Sequence, residues 1–216
     1  MRSEKTIARI IVHAVAVRSC VSYDGSMAKL ILASASPRRR ELLTQVGYTF
    51  QVHPAHIPED PRSDEDPESY VVRLAREKAQ AVFDSLHDPV AVVLGADTTV
   101  TLDGHILGKP EDAADAARML RMLSGRTHRV ITGVTVVTAD RVESAAEATA
   151  VRFLTLSDAE IDAYIATGEP MDKAGAYAIQ GRAARWIPRV EGCYFNVVGL
   201  PLALVGTMLN AAGVSV

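Results

Sequence analysis

Cationic and hydroxyl side chains gather near the start of the sequence, in the run Ser34–Arg40. The run holds two serines, a proline and three consecutive arginines, and an apolar stretch precedes it. Ser36 is a favoured N-cap and Pro37 a favoured first helical residue, so a helix is predicted to begin here. Since a helix N-terminus already carries a partial positive charge and open N–H groups, three added cations favour a phosphate or polyphosphate site. A solvated basic helix start is the alternative.

Asp97 is the strongest candidate for catalysis. It follows the apolar run Val90–Leu94, and the exit of a buried strand is where α/β proteins often place reacting groups. A carboxylate there could bind a divalent metal or accept a proton from an attacking water. The alternative is an aspartate that caps the turn with its own side chain.

Four further side chains could complete a site for a charged ligand. Lys78 falls on the apolar stripe of a predicted helix, so its ammonium either reaches the surface or points into a cleft. Lys109, before a proline on a stiff loop, could contact phosphate, and Glu59, in an acidic loop, could be a second metal ligand. Gln180 offers both a donor and an acceptor to the edge of a base, or is the outward side chain of a strand bounded by glycines.

The elements that must position these side chains alternate between strands and helices. Strands are predicted at 30–34, 49–53, 90–94, 98–102, 105–107, 129–139 and 145–156, with a tight turn at Asp103-Gly104. Helices are predicted at 37–46, 67–86, 111–123, 157–167 and about 202–210, with a proline-rich and acidic loop at 53–67. The predicted fold class is therefore α/β, with a mixed twisted sheet and flanking helices.

Composition limits the kind of protein. The 216 residues are 48% hydrophobic and 23% charged, as in ordinary soluble domains, and a net charge of −3 gives no reason to expect a nucleic-acid partner. Cys20 and Cys193 have no disulfide or metal-ligand spacing, which favours a reducing, cytoplasmic location. No apolar run approaches the roughly 20 residues of a membrane span, so no membrane association is expected.

Residues 1–26 are interpreted as an extension that is not part of the functional domain. Ile10–Val17 is apolar and follows three basic residues, but it is short and lacks the small-residue cleavage site of a signal peptide. Met27 stands directly before the first predicted strand. We therefore expect a single functional domain over residues 27–216.

Other phosphate-handling motifs are absent from the sequence. There is no Gly-x-x-x-x-Gly-Lys-Ser/Thr loop, and no Gly-x-Gly-x-x-Gly follows a strand. Asp97–Val100 resembles an aspartyl-phosphate motif only faintly, because Thr99 stands where a second aspartate is expected.

Taken together, the motifs resemble the Maf family of nucleoside-triphosphate pyrophosphatases. The matching segments are Leu32–Arg39, Leu74–Ala79, Gly95–Thr98, Gly108–Pro110, Ser124–His128, Gly168–Tyr177, Ile179–Gly181 and Val198–Leu202. Each segment is weak alone, but their number and order make the match specific. The resemblance implies two lobes around a nucleotide cleft, dependence on Mg²⁺ or Mn²⁺, a homodimer and a cytoplasmic location.

The resemblance also implies roles for individual residues. Asp97 would be the catalytic proton acceptor and, with Glu59, a metal ligand. The residues that would line the triphosphate and metal site are Ser34, Ser36, Arg38, Arg39, Glu59, Lys78 and Lys109. Substrate selection would rest on Arg38, Thr98 and Gln180, whose identities look like the subgroup acting on dTTP and UTP. Relatives that hydrolyse 7-methyl-GTP typically carry an aromatic residue, Gln and Glu there.

The sequence leaves two alternative functions open. One is a pyrophosphatase acting on 7-methyl-GTP or another modified nucleotide. The other is a nucleotide-binding regulator of cell division whose turnover is incidental.

Overall fold

The computed structural model describes residues 28–216, so the interpretation of residues 1–26 as an extension lies outside the described residues. The strands are β1 Lys29–Leu32, β2 Gln51–Val52, β3 Ala91–Leu102, β4 His105–Leu107, β5 Thr127–Val137, β6 Val142–Arg152 and β7 Arg189–Glu191. The helices are α1 Pro37–Gln45, α2 Pro67–Leu86, α3 Ala113–Leu123, α4 Asp158–Ile165, α5 Tyr194–Val198 and α6 Leu202–Ala211, with short 3₁₀ turns at Glu169–Asp172, Ala174–Ala176 and Arg182–Trp186. Within 28–216, no helix is both long and apolar enough to cross a membrane.

The seven strands form one mixed sheet in the order β2-β1-β3-β5-β6-β7, with β4 paired to β3. Strands β2 and β3 run parallel to β1, and the other pairs are antiparallel. The predicted α/β class with a mixed sheet and flanking helices is therefore confirmed.

Strand β3 has one edge that is only partly covered. Its first edge pairs with β5 continuously from Val93 to Thr101. Its second edge pairs with β1 as far as Leu94 and with β4 from Val100 onward. Residues 95–99 therefore lack a strand partner on that edge, and this opening positions the site.

Helix α2 lies unusually close to the sheet. A Cβ added at Gly95 of β3 would lie 2.2 Å from the Ala75 carbonyl oxygen, and one at Gly133 of β5 would lie 2.4 Å from that of Val71. Only glycine permits such an approach between a helix backbone and a strand. The buried face of α2, which includes Lys78, is thereby fixed against β3 and β5.

The two faces of the sheet carry different cores. The α2 face packs small clusters that include Val93 of β3. The opposite face holds the largest core, in which even-numbered β3 residues such as Leu94 and Ala96 meet α3, α4 and α6. Because strand side chains alternate between faces, Asp97 points toward α2 and Thr98 points away from it.

Three differences from the sequence predictions bear on the site. Strand β3 runs through Leu102, so Asp97 lies inside the strand and not at its exit; what ends near Asp97 is the parallel pairing with β1. The segment 172–181 forms 3₁₀ and β-turns, so the alternative of a strand carrying Gln180 is wrong. Helix α5 was not predicted, because five residues are too few to show helical periodicity.

Candidate active site

The open edge of β3 borders a cleft of about 570 Å³, a size typical of small-molecule sites. Every residue predicted for the site lines it: Ser34, Ser36, Arg38, Arg39, Glu59, Lys78, Asp97, Thr98, Lys109 and Gln180. Asp97 and Thr98 reach the cleft from opposite faces of the sheet, which is possible only because no strand covers this part of β3. The residues that the sequence analysis assigns to one site therefore line one cleft in the structure.

Lys78 joins the two carboxylates of the cleft. Its Nζ lies 2.7 Å from Asp97 Oδ1 and 2.6 Å from Glu59 Oε1. The side chains of Lys78 and Asp97 are buried, whereas that of Glu59 is half exposed. Of the two interpretations of Lys78 from the sequence, the structure supports the one in which its ammonium points into a cleft.

The protonation of the two carboxyls differs with their surroundings. Burial raises the pKa of Asp97, and the positive charges of Lys78 and Arg39 only partly oppose this. Burial also disfavours ionised Glu59, but the hydrogen bond and charge of Lys78, followed by the charges of Lys109 and Arg39, outweigh it and lower the pKa of Glu59. Since a raised pKa makes a carboxylate a stronger base, Asp97 is the better proton acceptor of the two.

The loop that carries Glu59 is held by α2. The Tyr70 hydroxyl donates to the Glu59 carbonyl at 2.8 Å, and Arg73 Nη2 donates to the Asp60 carbonyl at 3.2 Å. Arg73 also forms a bidentate ion pair with Glu65, in which Nε lies 2.6 Å from Oε1 and Nη2 lies 2.7 Å from Oε2. Sequence reasoning missed Tyr70, although it shares the buried stripe of α2 with Lys78, eight residues later.

Arg39 ties three parts of the cleft together. Its Nε donates to the Gly199 carbonyl at 2.8 Å, its Nη1 to the Ala96 carbonyl at 2.8 Å and to Ser34 Oγ at 3.1 Å, and its Nη2 to Thr98 Oγ1 at 3.0 Å. Four of its five N–H donors are thus used within the protein, which leaves one for a ligand. Burial is the main reason why the pKa of Arg39 is lowered.

The three consecutive arginines have different surroundings. Arg38 lines the cleft and reaches across it to Asp172, with its Nη1 3.3 Å from Oδ2. Arg39 is buried, and Arg40 is exposed and is not among the residues that line the cleft. Ser36 begins α1 without a side-chain capping bond, so the first amide groups of the helix remain open to a ligand.

The remaining predicted residues lie at the rim. Lys109 and Gln180 are exposed and line the cleft from opposite segments of chain. Asp172 and Lys173 also line it, and they contact each other. The rim therefore carries both charges, while the deeper part holds Asp97, Lys78 and Arg39.

Tyr177 lines the cleft, and its hydroxyl contacts His128, a buried histidine that the sequence analysis did not single out. His128 Nε2 lies 2.8 Å from the Tyr177 hydroxyl, and its Nδ1 is buried without a partner in the described part of the chain. Burial lowers the pKa of His128 to about 4, so the ring is neutral at physiological pH.

This histidine gives a prediction for stability. The unfolded chain binds the His128 proton near pH 6.5 and the folded chain only near pH 4, so folding loses stability as pH falls through that window. Between pH 7 and pH 5 the free energy of unfolding of the native protein falls. We expect this fall to be about 2 kcal/mol smaller in His128→Gln, which lacks the titrating group. Urea unfolding at both pH values measures it, with exposed His53→Gln as the control. Equal pH dependence of native protein and His128→Gln would contradict the prediction.

The donor set of the cleft fits a divalent cation such as Mg²⁺ or Mn²⁺. Glu59 and Asp97 supply carboxylate oxygens beside a cationic pocket, and Mg²⁺ in phosphate-binding sites is held by one or two carboxylates together with phosphate oxygens. Residues 28–216 contain no group of three or more acidic, histidine or cysteine side chains that would hold a metal alone. The other ligands would therefore come from substrate and water.

Comparison with known proteins places this cleft in a family. Proteins named dTTP/UTP pyrophosphatase from Koribacter versatilis and Moorella thermoacetica are 56% and 55% identical to the chain; the matches cover 86% and 88% of it, and 95% and 98% of the relatives. A protein of the same name from Bacillus pumilus is 48% identical, over 88% of this chain and 99% of its own. The family model described as Maf-like protein matches residues 29–212. Since this match includes every element of the cleft, the chain belongs to the Maf-like protein family.

Proposed function

We propose that the chain hydrolyses dTTP and UTP to the nucleoside monophosphate and pyrophosphate. The observation that carries the proposal is the buried pair of Asp97 and Lys78 at the open edge of β3, beside Arg38 and Lys109. Burial raises the pKa of Asp97, which supports a role as proton acceptor, and the neighbouring cations suit a triphosphate. Relatives named for this activity are about half identical to the chain over most of its length.

The positions of these groups support the following reaction. Asp97 accepts a proton from the water that attacks the α-phosphorus, and the bond from that phosphorus to the bridging oxygen of the β-phosphate breaks. Pyrophosphate leaves with the electron pair. Lys78, Lys109 and the open amides of α1 stabilise the negative charge that grows on the phosphate oxygens.

We propose Mg²⁺ or Mn²⁺ as the cofactor, held by Glu59 and Asp97. When bound, the cation polarises phosphate oxygens and neutralises developing charge. We also propose a cytoplasmic homodimer: the absence of disulfide spacing among the cysteines supports the location, and the resemblance to the family supports the dimer. Light scattering on the purified protein tests the oligomeric state.

The role of Glu59 gives a prediction. Glu59→Gln removes one of the two negative charges offered to the cation, so we expect the half-saturating concentration of Mg²⁺ or Mn²⁺ to rise about tenfold. Metal titration of pyrophosphate release and electron paramagnetic resonance of bound Mn²⁺ both measure it. Glu41→Gln, an exposed change on α1, is the control. An unchanged Mn²⁺ affinity would exclude Glu59 as a ligand.

A substrate panel tests the function itself. Pyrophosphate and orthophosphate release are measured with dTTP, UTP, dCTP, dATP and 7-methyl-GTP at saturating Mg²⁺. The proposal expects pyrophosphate alone, released fastest from dTTP and UTP. Faster turnover of 7-methyl-GTP would favour the modified-nucleotide alternative, and tight binding with negligible turnover would favour the regulator.

Gln180 gives a prediction for selectivity. A carboxylate at this position only accepts hydrogen bonds, so it loses the donor that a uracil or thymine carbonyl requires and gains an acceptor for the N–H groups of guanine. We expect Gln180→Glu to lower kcat/KM for dTTP and UTP about tenfold and to raise that for 7-methyl-GTP. Gln45→Glu, at the exposed end of α1, is the control. An unchanged ranking of substrates would remove Gln180 from base selection.

A further inference from the structure

Gln180 sits on a β-turn, Ala178–Gly181, at the rim of the cleft. The Gly181 amide donates to the Ala178 carbonyl at 3.1 Å and closes the turn. The Gln180 side chain itself is exposed. Its position is therefore set by whatever holds the two ends of the turn.

Both ends of the turn are tied to one pair of side chains outside the cleft. The Tyr164 hydroxyl accepts the Ala178 amide at 3.1 Å and donates to Glu169 Oε1 at 2.8 Å. The same Glu169 oxygen accepts the Arg182 amide at 3.0 Å, directly after the turn. Neither Tyr164 nor Glu169 lines the cleft.

The pair has little freedom to move. Tyr164 is only 1% exposed, and its ring meets Trp186 edge-on with centroids 5.1 Å apart. A Cβ added at Gly181 would lie 2.1 Å from Glu169 Oε1, so the turn is seated directly on the carboxylate. Burial, followed by the bond to Glu169, raises the pKa of Tyr164, so the phenol keeps the proton that it donates.

We propose that Tyr164 and Glu169 are positioning residues that set base discrimination by fixing the turn that carries Gln180. Uracil and thymine present an N–H donor beside a carbonyl, and cytosine presents the reverse. A glutamine amide can rotate to satisfy either arrangement, so its preference depends on where the turn holds it. This inference rests on the proposed hydrolysis of dTTP and UTP.

Tyr164→Phe tests the inference because it removes only the hydroxyl. The probes are dTTP, dCTP and pyrophosphate, the last as a competitive inhibitor that has no base. We expect the ratio of kcat/KM for dTTP to that for dCTP to fall about tenfold, chiefly through KM, while the inhibition constant of pyrophosphate stays within about twofold. Tyr194→Phe, an exposed change on α5, should leave every value as in the native protein.

The outcomes separate the inference from its premise. If the native protein releases no pyrophosphate from dTTP, the proposed function fails before any variant is compared. If the native protein is active but Tyr164→Phe keeps the native dTTP to dCTP ratio, the positioning role is wrong. An equal weakening of dTTP and pyrophosphate would also overturn it, as a general loss of structure. Glu169→Leu, which removes the oxygen that accepts from both Tyr164 and Arg182, must lower the ratio in the same direction, and it decides the case if Tyr164→Phe does not fold.

Discussion

Asp97→Asn is expected to lower the rate of pyrophosphate release from dTTP about a thousandfold. General-base catalysis contributes about 10² to 10⁴ in rate, and asparagine keeps the shape of the side chain but cannot accept the proton of the attacking water. The KM for dTTP should change little, because Lys78 and Lys109, the side chains that we propose to bind the phosphates, remain in the cleft. Steady-state kinetics at saturating Mg²⁺ gives both values.

The matched control for this prediction is Asp162→Asn, an exposed change on α4 that is not among the residues lining the cleft. It should retain the native rate. Binding of Mn²⁺ to Asp97→Asn separates two roles of the carboxylate: a slow variant that binds Mn²⁺ normally has lost a base, and one that binds it weakly has lost a metal ligand. A rate near the native value would show that Asp97 is not the proton acceptor.

The position of Lys78 could be predicted from sequence because it rests on local periodicity. A lysine on the same stripe as Val71, Leu74 and Val82 either reaches the surface or points into a cleft, and the structure shows the latter. Asp97 was also identifiable, since an acid directly after a buried apolar run is unusual. The positions of both residues are set mainly by the helix or strand that carries them, which local sequence patterns predict, and less by contacts between distant parts of the chain.

The opening in the sheet was not predictable in the same way. It arises because β1 leaves β3 at Leu94 and β4 joins it only at Val100, and strand pairing over such sequence distances has no local pattern. The prediction that β3 ends before Asp97 was wrong for this reason. The strand continues past Asp97 paired with β5, and only its pairing with β1 ends, at Leu94. Without that opening, Asp97 and Thr98 could not line one cleft.

Arg39 shows a second limit of sequence reasoning. The arginine run indicated an anion site, but the sequence does not say which guanidinium groups the protein itself uses. In the structure most N–H groups of Arg39 donate hydrogen bonds within the protein, to the carbonyls of Ala96 and Gly199 and to two hydroxyls. Its first effect is to hold three segments of the cleft together, and its binding role toward phosphate stays a prediction.

Lys78→Met is expected to lower kcat/KM for dTTP about a hundredfold at neutral pH and to shift its pH dependence. The change leaves Asp97 and Glu59 near each other without the cation between them, and the loss of one preorganised charged donor typically costs about 10² to 10³ in rate. The positive charge of Lys78 lowers the pKa of Asp97, and that of Arg39 lowers it less. Removing Lys78 therefore raises that pKa further, so Asp97 becomes ionised only at higher pH.

The acidic limb of the kcat/KM profile should consequently move to higher pH in Lys78→Met, because the proton acceptor works only when it is deprotonated. Exposed Lys29→Met is the matched control and should keep the native profile. A lysine that served only to hold phosphate would give a different result: KM would rise and the acidic limb would stay in place. The direction of the shift thus decides whether Lys78 tunes the base or only binds the substrate, a distinction that its position between Asp97 and Glu59 makes measurable.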